Sequence, residues 1–276
     1  MNQPGAYLSI CAIFYNEATY IREWVEFHRI VGVERFFLYD HKSTDDWRDV
    51  LSDHIESGEV IVHDWPVDPG QVEAYEDCIG RHGADSRWIA FIDIDEFLFS
   101  PTGEPVPDVL RDYEEFPAVG VNWRIFGSSG HRRRPEGLVT ESYLHFSRNP
   151  RSRRTIKSIA DPSRVARAVT GHYFEYRDGA PAVDELKRPI TGPDFAFTES
   201  MAMDRLRLNH YAIKSEEEFA RKLARVRADT GVVDRDPLKA KFGDVRDEAI
   251  LMYAPRLRAA MGAKASKPGS REAPRA

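Results

Sequence analysis

The chain has 276 residues, of which 42% are apolar and 30% charged, and its formal net charge is −6. The composition is ordinary for a folded globular protein, and the length allows one large α/β domain or one domain with an appendage. The acidic balance argues against nucleic-acid binding, which usually requires a basic domain. The two cysteines, Cys11 and Cys78, form no closely spaced pair. They therefore indicate buried thiols in a reducing compartment rather than a zinc ribbon or a disulfide framework.

The sequence shows no targeting or membrane-spanning pattern. Residues 1–5 have no basic region, and no long apolar run follows them, so no signal peptide is expected. No apolar run approaches the ~20 residues that cross a bilayer. These features predict a cytoplasmic protein without a transmembrane segment.

The first hundred residues alternate between strand-type and helix-type patterns. Apolar runs predict four strands, at 7–15, 35–39, 60–63 and 88–92. Helical spacing of apolar residues predicts three helices, at 18–31, 45–57 and 71–82. This alternating order predicts a mostly parallel sheet with right-handed crossovers. Polar residues follow every strand and should meet at one edge of the sheet: Asn16, Glu17, Asp40, Asp64, Asp93 and Asp95.

After residue 100 the pattern is looser. Strands are predicted at 118–126, within 165–176 and at 206–211, and Ser215 opens a helix with a capping box. The basic residues between 132 and 157 are typical of a solvated face, with an anionic acceptor or a lipid phosphate as the alternative. Binding to lipid phosphate would include peripheral association with a membrane. Residues 262–276 predict a disordered tail, because Ala, Ser, Pro, Gly, Lys and Arg dominate them.

The segment 93–96 carries the strongest chemical signal. Burying an unpaired ion costs several kcal/mol or more, so Asp93 and Asp95 should lie where the apolar strand leaves the sheet. Open α/β sheets bind ligands at that edge. Two carboxylates separated by one residue suit Mg²⁺ or Mn²⁺, and such ions commonly also hold substrate phosphates. A solvated acidic turn is the simpler explanation, but the apolar residues 97–99 that follow favour a site.

Several segments together resemble known glycosyltransferases. Residues 12–17 (AIFYNE), 24–28 (WVEFH) and 93–97 (DIDEF) are similar to the glycosyltransferase families 2 and 92, with the small family-2-like subgroup as the best match. The resemblance spans roughly residues 7–230 and also includes later segments and residues: 123–131, Lys157, His172, 209–211, Lys214 and Ser215.

The resemblance implies a GT-A fold, which is Rossmann-like with a mostly parallel central sheet flanked by helices. It implies one domain over 6–261, with a nucleotide-sugar half at 6–100 and an acceptor half at 101–261. It also implies transfer of a sugar, with inversion, from a nucleotide diphosphate donor to a glycan, lipid-linked or other hydroxyl acceptor. Such transfer uses Mn²⁺ or Mg²⁺, and we expect a UDP-type donor.

The resemblance and the strand-end pattern assign residues to each part of the site. The predicted metal ligands are Asp93, Asp95 and His210. The predicted donor-binding residues are Tyr15, Asn16, Glu17, Asp40, Gln71, Asp93 and Lys214. The predicted acceptor-binding residues are Trp123 and His131.

Most of these assignments have a structural alternative. His210 could be a half-buried residue at a strand end, and Asn16 could be a helix N-cap, as could Asp45. Trp123 could belong to the core, and Gln71 and Lys214 could be ordinary surface residues.

The catalytic base stays unassigned. An inverting transferase needs a carboxylate near the acceptor hydroxyl. The second half offers several weak candidates: Asp178, Asp184, Glu185, Asp194 and Glu199.

A non-catalytic nucleotide- or polysaccharide-binding protein of the same fold is therefore the main alternative function. A phosphohydrolase is disfavoured, because its Asp-x-Asp would follow the first strand of the chain rather than the fourth.

Overall fold

The computed structural model describes residues 5–146, 154–191, 196–223 and 245–262. Its strands are β1 Ala6–Phe14, β2 Arg35–Asp40, β3 Val60–Asp64, β4 Ser86–Phe91, β5 Glu96–Phe99, β6 Ala118–Ile125, β7 His145–Phe146, β8 Ile156–Ala160, β9 Val165–Ala168, β10 Phe174–Tyr176, β11 Arg207–His210 and β12 Val245–Arg246. Its α-helices are α1 Ile21–Ile30, α2 Trp47–Val50, α3 Ser52–Glu56, α4 Gln71–His82, α5 Val106–Leu110, α6 Val139–Ser142, α7 Glu216–Leu223 and α8 Ala254–Gly262. Short 3₁₀ helices lie at Gly83–Asp85, Arg111–Tyr113 and Ala249–Tyr253.

One eight-stranded sheet runs through the molecule in the order β3-β2-β1-β4-β8-β6-β11-β5. The strands β3, β2, β1 and β4 pair in parallel, as do β6 and β11. The predicted α/β architecture with a mostly parallel, Rossmann-like first half is thereby confirmed. Because the first four strands are parallel, their carboxyl ends lie along the same edge of the sheet, as the sequence predicted.

The sheet is covered on both faces, which explains the continuous apolar runs of its strands. Alternate residues of β1 enter two different cores. Ile10 and Ala12 pack in the cluster that contains Trp24 of α1, whereas Cys11 and Ile13 pack in the cluster that contains Cys78 of α4. Both cysteines are free and buried, as predicted.

The second half of the sheet contains a strand that the sequence prediction missed. β8 pairs antiparallel with β4 on one side and β6 on the other. Its residues belong to the end of the basic segment that was predicted to be a solvated face. Lys157 is the second residue of β8 and only 1% of its side chain is exposed, so that prediction is wrong for this residue. Arg148, Arg151 and Arg153 of the same segment lie outside the described residues.

Three other boundaries differ from the prediction. The helix predicted at 45–57 is two short helices, α2 and α3, which meet at Leu51. The strand region at 165–176 is the antiparallel pair β9 and β10. Gly262 is the last residue of α8 rather than the first of a tail, and the predicted tail beyond it lies outside the described residues. Within the described ranges, no helix has the length and apolar character needed to cross a membrane.

Candidate active site

The pairing of β5 with β11 brings Asp95 next to His210. Glu96 and His210 are opposite each other in this antiparallel ladder, and the Tyr211 amide donates to the Asp95 carbonyl oxygen at 2.8 Å. His210 Nε2 consequently lies 3.3 Å from Asp95 Oδ1, and both side chains are 12% exposed. The sheet therefore joins the carboxylate that follows β4 to a histidine from the second half, as the sequence predicted.

Glu96 lies directly behind this pair. It is fully buried, its Oε2 accepts the Asp93 amide at 2.9 Å, and its Oε1 lies 3.9 Å from His210 Nδ1. Neither of those two facing atoms has a hydrogen-bond partner in the described part of the chain. Burial raises the pKa of the Glu96 carboxyl well above its usual range, against the effect of Lys157, and Asp93 and Asp95 raise it further.

Asp93 is held by two side chains from other elements. Its Oδ1 accepts Gln71 Nε2 and its Oδ2 accepts Lys157 Nζ, each at 2.9 Å. The Lys157 ammonium also lies 3.8 Å from Glu96 Oε2. Burial opposes the charged form of Lys157, but Asp93 and Glu96 outweigh it and raise the pKa of this lysine well above its usual range. Lys157 is therefore a charged group that fixes the orientation of Asp93.

Gln71 reaches Asp93 because Gly171, which lies against the Gln71 amide group, has no side chain. Gln71 is the first residue of α4, and its Nε2 also donates to the Tyr75 hydroxyl at 3.2 Å. A Cβ atom added to Gly171 would lie 2.5 Å from Gln71 Oε1. The glycine therefore permits the close approach that directs the Gln71 amide at Asp93.

Two lysines from the region of α7 approach Asp95. Lys222 Nζ lies 2.5 Å from Asp95 Oδ2, a contact that the sequence did not reveal. Lys214 precedes the helix, and its Nζ lies 3.7 Å from Glu17 Oε2 and 3.9 Å from the centroid of the Tyr20 ring. Burial opposes ionisation of Asp95, but Lys222, His210 and Lys214 together hold its pKa well below the usual range. Asp95 is therefore a carboxylate at neutral pH.

The residues predicted for the nucleotide lie on the loops after β1 and β2. Asn16 Oδ1 accepts the Thr44 amide at 2.7 Å, and Asp40 Oδ1 accepts the Ser43 amide at 2.9 Å. The first of these hydrogen bonds joins the two loops, and the second lies within the turn at the end of β2. Neither Asn16 nor Asp45 caps the helix that follows it, so that alternative is wrong.

Tyr15 and Asp40 differ in how far solvent reaches them. Tyr15 is 40% exposed at the carboxyl end of β1, whereas Asp40 is buried and its Oδ2 accepts Trp47 Nε1 at 3.2 Å. Contact of these side chains with a nucleoside stays a prediction.

Of the two acceptor candidates, the structure places only Trp123 beside the site. Its ring centroid lies 4.5 Å from that of His210 and 5.1 Å from that of His172. The other candidate, His131, packs on Tyr143 and its Nε2 contacts the Ser142 carbonyl oxygen at 3.1 Å. No described contact joins His131 to Asp93, Asp95 or His210.

Three of the carboxylates considered for a base have other partners in this structure. Glu185 is buried and accepts the backbone amides of residues 204–206, and Asp184 is buried and pairs with Arg188. Asp178 pairs with Arg164, and Glu199 is exposed. Asp194 lies outside the described residues. The contacts thus give Asp184 and Glu185 structural roles, and the base stays unassigned.

The side chains at this edge are suited to bind a divalent cation through two protein ligands, Asp95 and His210. Two ligand atoms that are each about 2.1 Å from one ion lie roughly 3 Å apart at a right angle, close to the Asp95–His210 spacing. Glu96 Oε1 faces His210 Nδ1 at 3.9 Å, so His210 presents its other nitrogen, Nε2, to Asp95. The two oxygens of Asp93 instead accept hydrogen bonds from Gln71 and Lys157. Among the described residues, no three His, Cys, Asp or Glu side chains form a metal-binding group.

The sequence comparisons identify the family of the chain. A model of glycosyltransferase family 92 matches residues 6–201. The chain belongs to glycosyltransferase family 92. A family 92 protein of Ricinus communis is 30% identical over 234 residues, which cover 82% of this chain and 39% of the relative. One from Oryza sativa subsp. japonica is 32% identical over 183 residues, covering 64% of this chain and 31% of the relative.

A shorter match connects the chain to a protein with a named reaction. A galactan beta-1,4-galactosyltransferase of Arabidopsis thaliana is 32% identical over 106 residues, or 35% of this chain and 20% of the relative. The chain spans less than two-fifths of the length of the two family 92 relatives from Ricinus communis and Oryza sativa. Among solved structures, S. aureus TarS 1-349 in complex with UDP-GlcNAc has a TM-score of 0.37 and 13% identity, covering 57% of this chain and 46% of that one. A likeness at that level says nothing about the residues of the site.

Proposed function

We propose that this chain is a glycosyltransferase that uses Mn²⁺ or Mg²⁺ and moves a sugar from a UDP-type donor to a hydroxyl group of a glycan or lipid-linked acceptor. The observation that carries the proposal is the pair Asp95 and His210 at the carboxyl edge of the sheet, 3.3 Å apart and flanked by lysines. Membership of family 92 supports the reaction class. The galactosyltransferase relative supports a hexose as the transferred sugar.

The charges around the edge suit a diphosphate leaving group. Sugar transfer develops negative charge on that group, and a divalent ion held by Asp95 and His210 would stabilise it as a Lewis acid. Lys214 lies where it can add a positive charge from the side of α1, since its ammonium is close to Glu17 and Tyr20. Lys157 and Gln71 hold Asp93 in one orientation, which leaves its 32% exposed carboxylate available to the donor.

Metal dependence is tested by the substitution Asp95→Asn. We expect transfer and donor hydrolysis to be lost, because the amide is a poorer ligand and carries no charge, while the fold is kept. The measurement is release of UDP from a panel of UDP-sugars, with and without EDTA, beside circular dichroism of both proteins. Full activity in EDTA together with an active Asp95→Asn variant contradicts the proposal.

The role of His210 is tested by nucleotide binding rather than by turnover. We expect His210→Ala to weaken Mn²⁺-dependent UDP binding about 10–100-fold, the usual effect of removing metal-site support, with little loss of stability in the metal-free protein. His131→Ala is the matched control, because His131 has no described contact with Asp95. If His210 only packed at a strand end, its substitution would lower the melting temperature and leave the UDP affinity unchanged.

The non-catalytic alternative is separated by the same experiments. A protein that only binds nucleotides would show Mn²⁺-dependent UDP binding by calorimetry but no release of UDP from any donor. Absence of nucleoside diphosphate binding at millimolar concentration would contradict both functions.

A further inference from the structure

Asp95 uses both of its oxygens in this structure, and the partners differ in kind. Oδ1 faces His210 Nε2 at 3.3 Å, a nitrogen that can serve as a metal ligand. Oδ2 accepts Lys222 Nζ at 2.5 Å, a cation that cannot. A divalent ion bound by Asp95 and His210 would therefore be very close to the lysine ammonium. The two positive charges repel each other, so the ion and Lys222 compete for this carboxylate.

Lys222 is able to leave Asp95, whereas Lys157 cannot leave Asp93. The Lys157 side chain is 1% exposed, but the Lys222 side chain is 51% exposed and lies near the end of α7. A lysine side chain has four rotatable bonds and a compact charge, so its ammonium can move by several ångströms at little cost. Lys222 is thus an exposed cation beside Asp95, whereas Lys157 is a buried one beside Asp93.

The start of α7 is fixed, which keeps Lys222 within reach of the edge. Ser215 Oγ contacts Glu218 Oε2 at 2.5 Å, and the Tyr20 and Tyr143 hydroxyl groups donate to the same carboxylate. Movement of Lys222 therefore needs only a change of its side-chain torsions and no displacement of the helix. A donor diphosphate beside Asp95 would offer the displaced ammonium a new partner of higher negative charge.

We propose that Lys222 is an exchanging counter-ion. It pairs with Asp95 in the empty site and moves to the diphosphate when a divalent cation takes its place between Asp95 and His210. This inference rests on the proposed function and adds to it a residue that couples cation binding to donor binding. By the reciprocity of linked equilibria, the lysine disfavours the metal alone and favours the metal with the nucleotide.

The exchange predicts effects of opposite sign in the variant Lys222→Met. Mn²⁺ alone should bind about two- to fivefold more tightly, the range that loss of an exposed competing ion pair allows. UDP in saturating Mn²⁺ should bind about tenfold more weakly, because a charge-assisted contact to phosphate is lost. Free Mn²⁺ is measured by electron paramagnetic resonance, and UDP binding by calorimetry; neither readout needs turnover. Lys222→Gln repeats the test if the Met variant folds poorly.

Two further variants complete the experiment. Arg221→Met removes an exposed cation one residue earlier on the same helix and should change neither affinity. Lys222→Arg keeps the charge and should keep both affinities close to those of the wild type. Unchanged affinities in Lys222→Met, or two weakened affinities with a lowered melting temperature, overturn the exchange. If the wild type itself shows no Mn²⁺-dependent UDP binding, the proposed function fails and the exchange is overturned with it.

Discussion

The Lys157 side chain is positively charged although only 1% of it is exposed, because the carboxylates of Asp93 and Glu96 lie next to its ammonium group. Replacing it by methionine keeps much of the volume but leaves Asp93 and the fully buried Glu96 without their cation. Breaking a buried ion pair from one side costs about 3–5 kcal/mol, so we expect a loss of that size in the free energy of unfolding. Urea denaturation of Lys157→Met beside the wild type measures it.

Lys187→Met is the control for that measurement. Lys187 pairs with Glu115, and both side chains are about half exposed or more, at 45% and 67%. Exposed pairs contribute up to about 1 kcal/mol, so the control should lose at most that amount. Equal losses in the two variants would show that Lys157 is not a buried charge.

His28 makes stability depend on pH in a defined direction. The ring is fully buried, its Nδ1 donates to the Trp24 carbonyl oxygen at 2.8 Å, and its Nε2 accepts the Leu98 amide at 3.1 Å. Burial lowers the pKa of His28 from 6.5 to about 3, against the effect of the Trp24 carbonyl. The unfolded chain therefore binds a proton between pH 6.5 and 3 that the native chain does not. As the pH falls from 6.5 to 3, this residue alone should therefore lower the free energy of unfolding by about 1.4 kcal/mol per pH unit. Above pH 6.5 it should have no effect.

The measurement must observe His28 itself, because burial also lowers the pKa values of other histidines such as His172. Nitrogen chemical shifts of the His28 ring should report the neutral Nδ1–H form down to pH 5. A ring that titrates near pH 6.5 in the native protein would contradict this account.

At the scale of residues, the sequence predicted the carboxylates and the approach of His210, but not the lysines that pair with the carboxylates. Asp93 and Asp95 stand out because charges follow an apolar strand directly, which is a local pattern. Lys222 lies at an ordinary exposed position of a short helix, and its contact with Asp95 is set by tertiary structure alone. Lys157 is one of the residues that carry the family resemblance, but the arginines around it obscure the strand in which it is buried.

At the scale of elements, α7 depends on the residue that precedes it. Ser215 is buried, its amide donates to Glu218 Oε2 at 3.2 Å, and the Glu218 amide contacts Ser215 Oγ at 3.4 Å. Loss of such a cap costs about 1 kcal/mol, so Ser215→Ala should lower the free energy of unfolding by that amount. We also expect weaker UDP binding in Mn²⁺, since the helix that carries Lys222 would fray. Ser52→Ala in α3 is the control, and equal UDP affinities in the wild type and Ser215→Ala would contradict the second expectation.

The elements that the sequence predicted well are those with one uninterrupted pattern. α4 has the predicted bounds, and β1 to β4 are shifted by at most a few residues. β8 was missed because it has five residues and because Lys157 and Ser158 interrupt its apolar character. The side chain of Lys157 is tolerated inside the sheet only through Asp93 and Glu96, and that compensation is not visible in the local sequence.

At the scale of the whole molecule, the two predicted halves share one sheet. β4 of the first half pairs with β8 of the second, and β5 pairs with β11. α1 is also attached to β5, through the Trp24 indole that donates to the Glu96 carbonyl oxygen at 2.8 Å. The core therefore crosses the division at residue 100, and the separate donor and acceptor roles of the two halves stay a prediction.

This topology predicts that residues 5–100 do not fold alone. In the isolated fragment β5 loses its ladder partner, β4 becomes an open edge, and Asp93 and Glu96 lose the Lys157 cation. An open apolar edge and an unpaired buried carboxylate both disfavour the native state. We expect the fragment to lack a cooperative urea transition and to show amide exchange far faster than in the full chain.

Addition of residues 101–262 to the fragment is the decisive control. If the sheet is one cooperative unit, the two pieces together should recover near-UV circular dichroism and slow amide exchange in β4 and β5, because β8 restores the neighbour of β4 and β11 that of β5. The same mixture should recover Mn²⁺-dependent UDP binding, since Asp95 and His210 come from different pieces. A fragment 5–100 that unfolds cooperatively without its complement would show that the first four parallel strands and their helices form an independent domain, and that the second half only adds ligands to it.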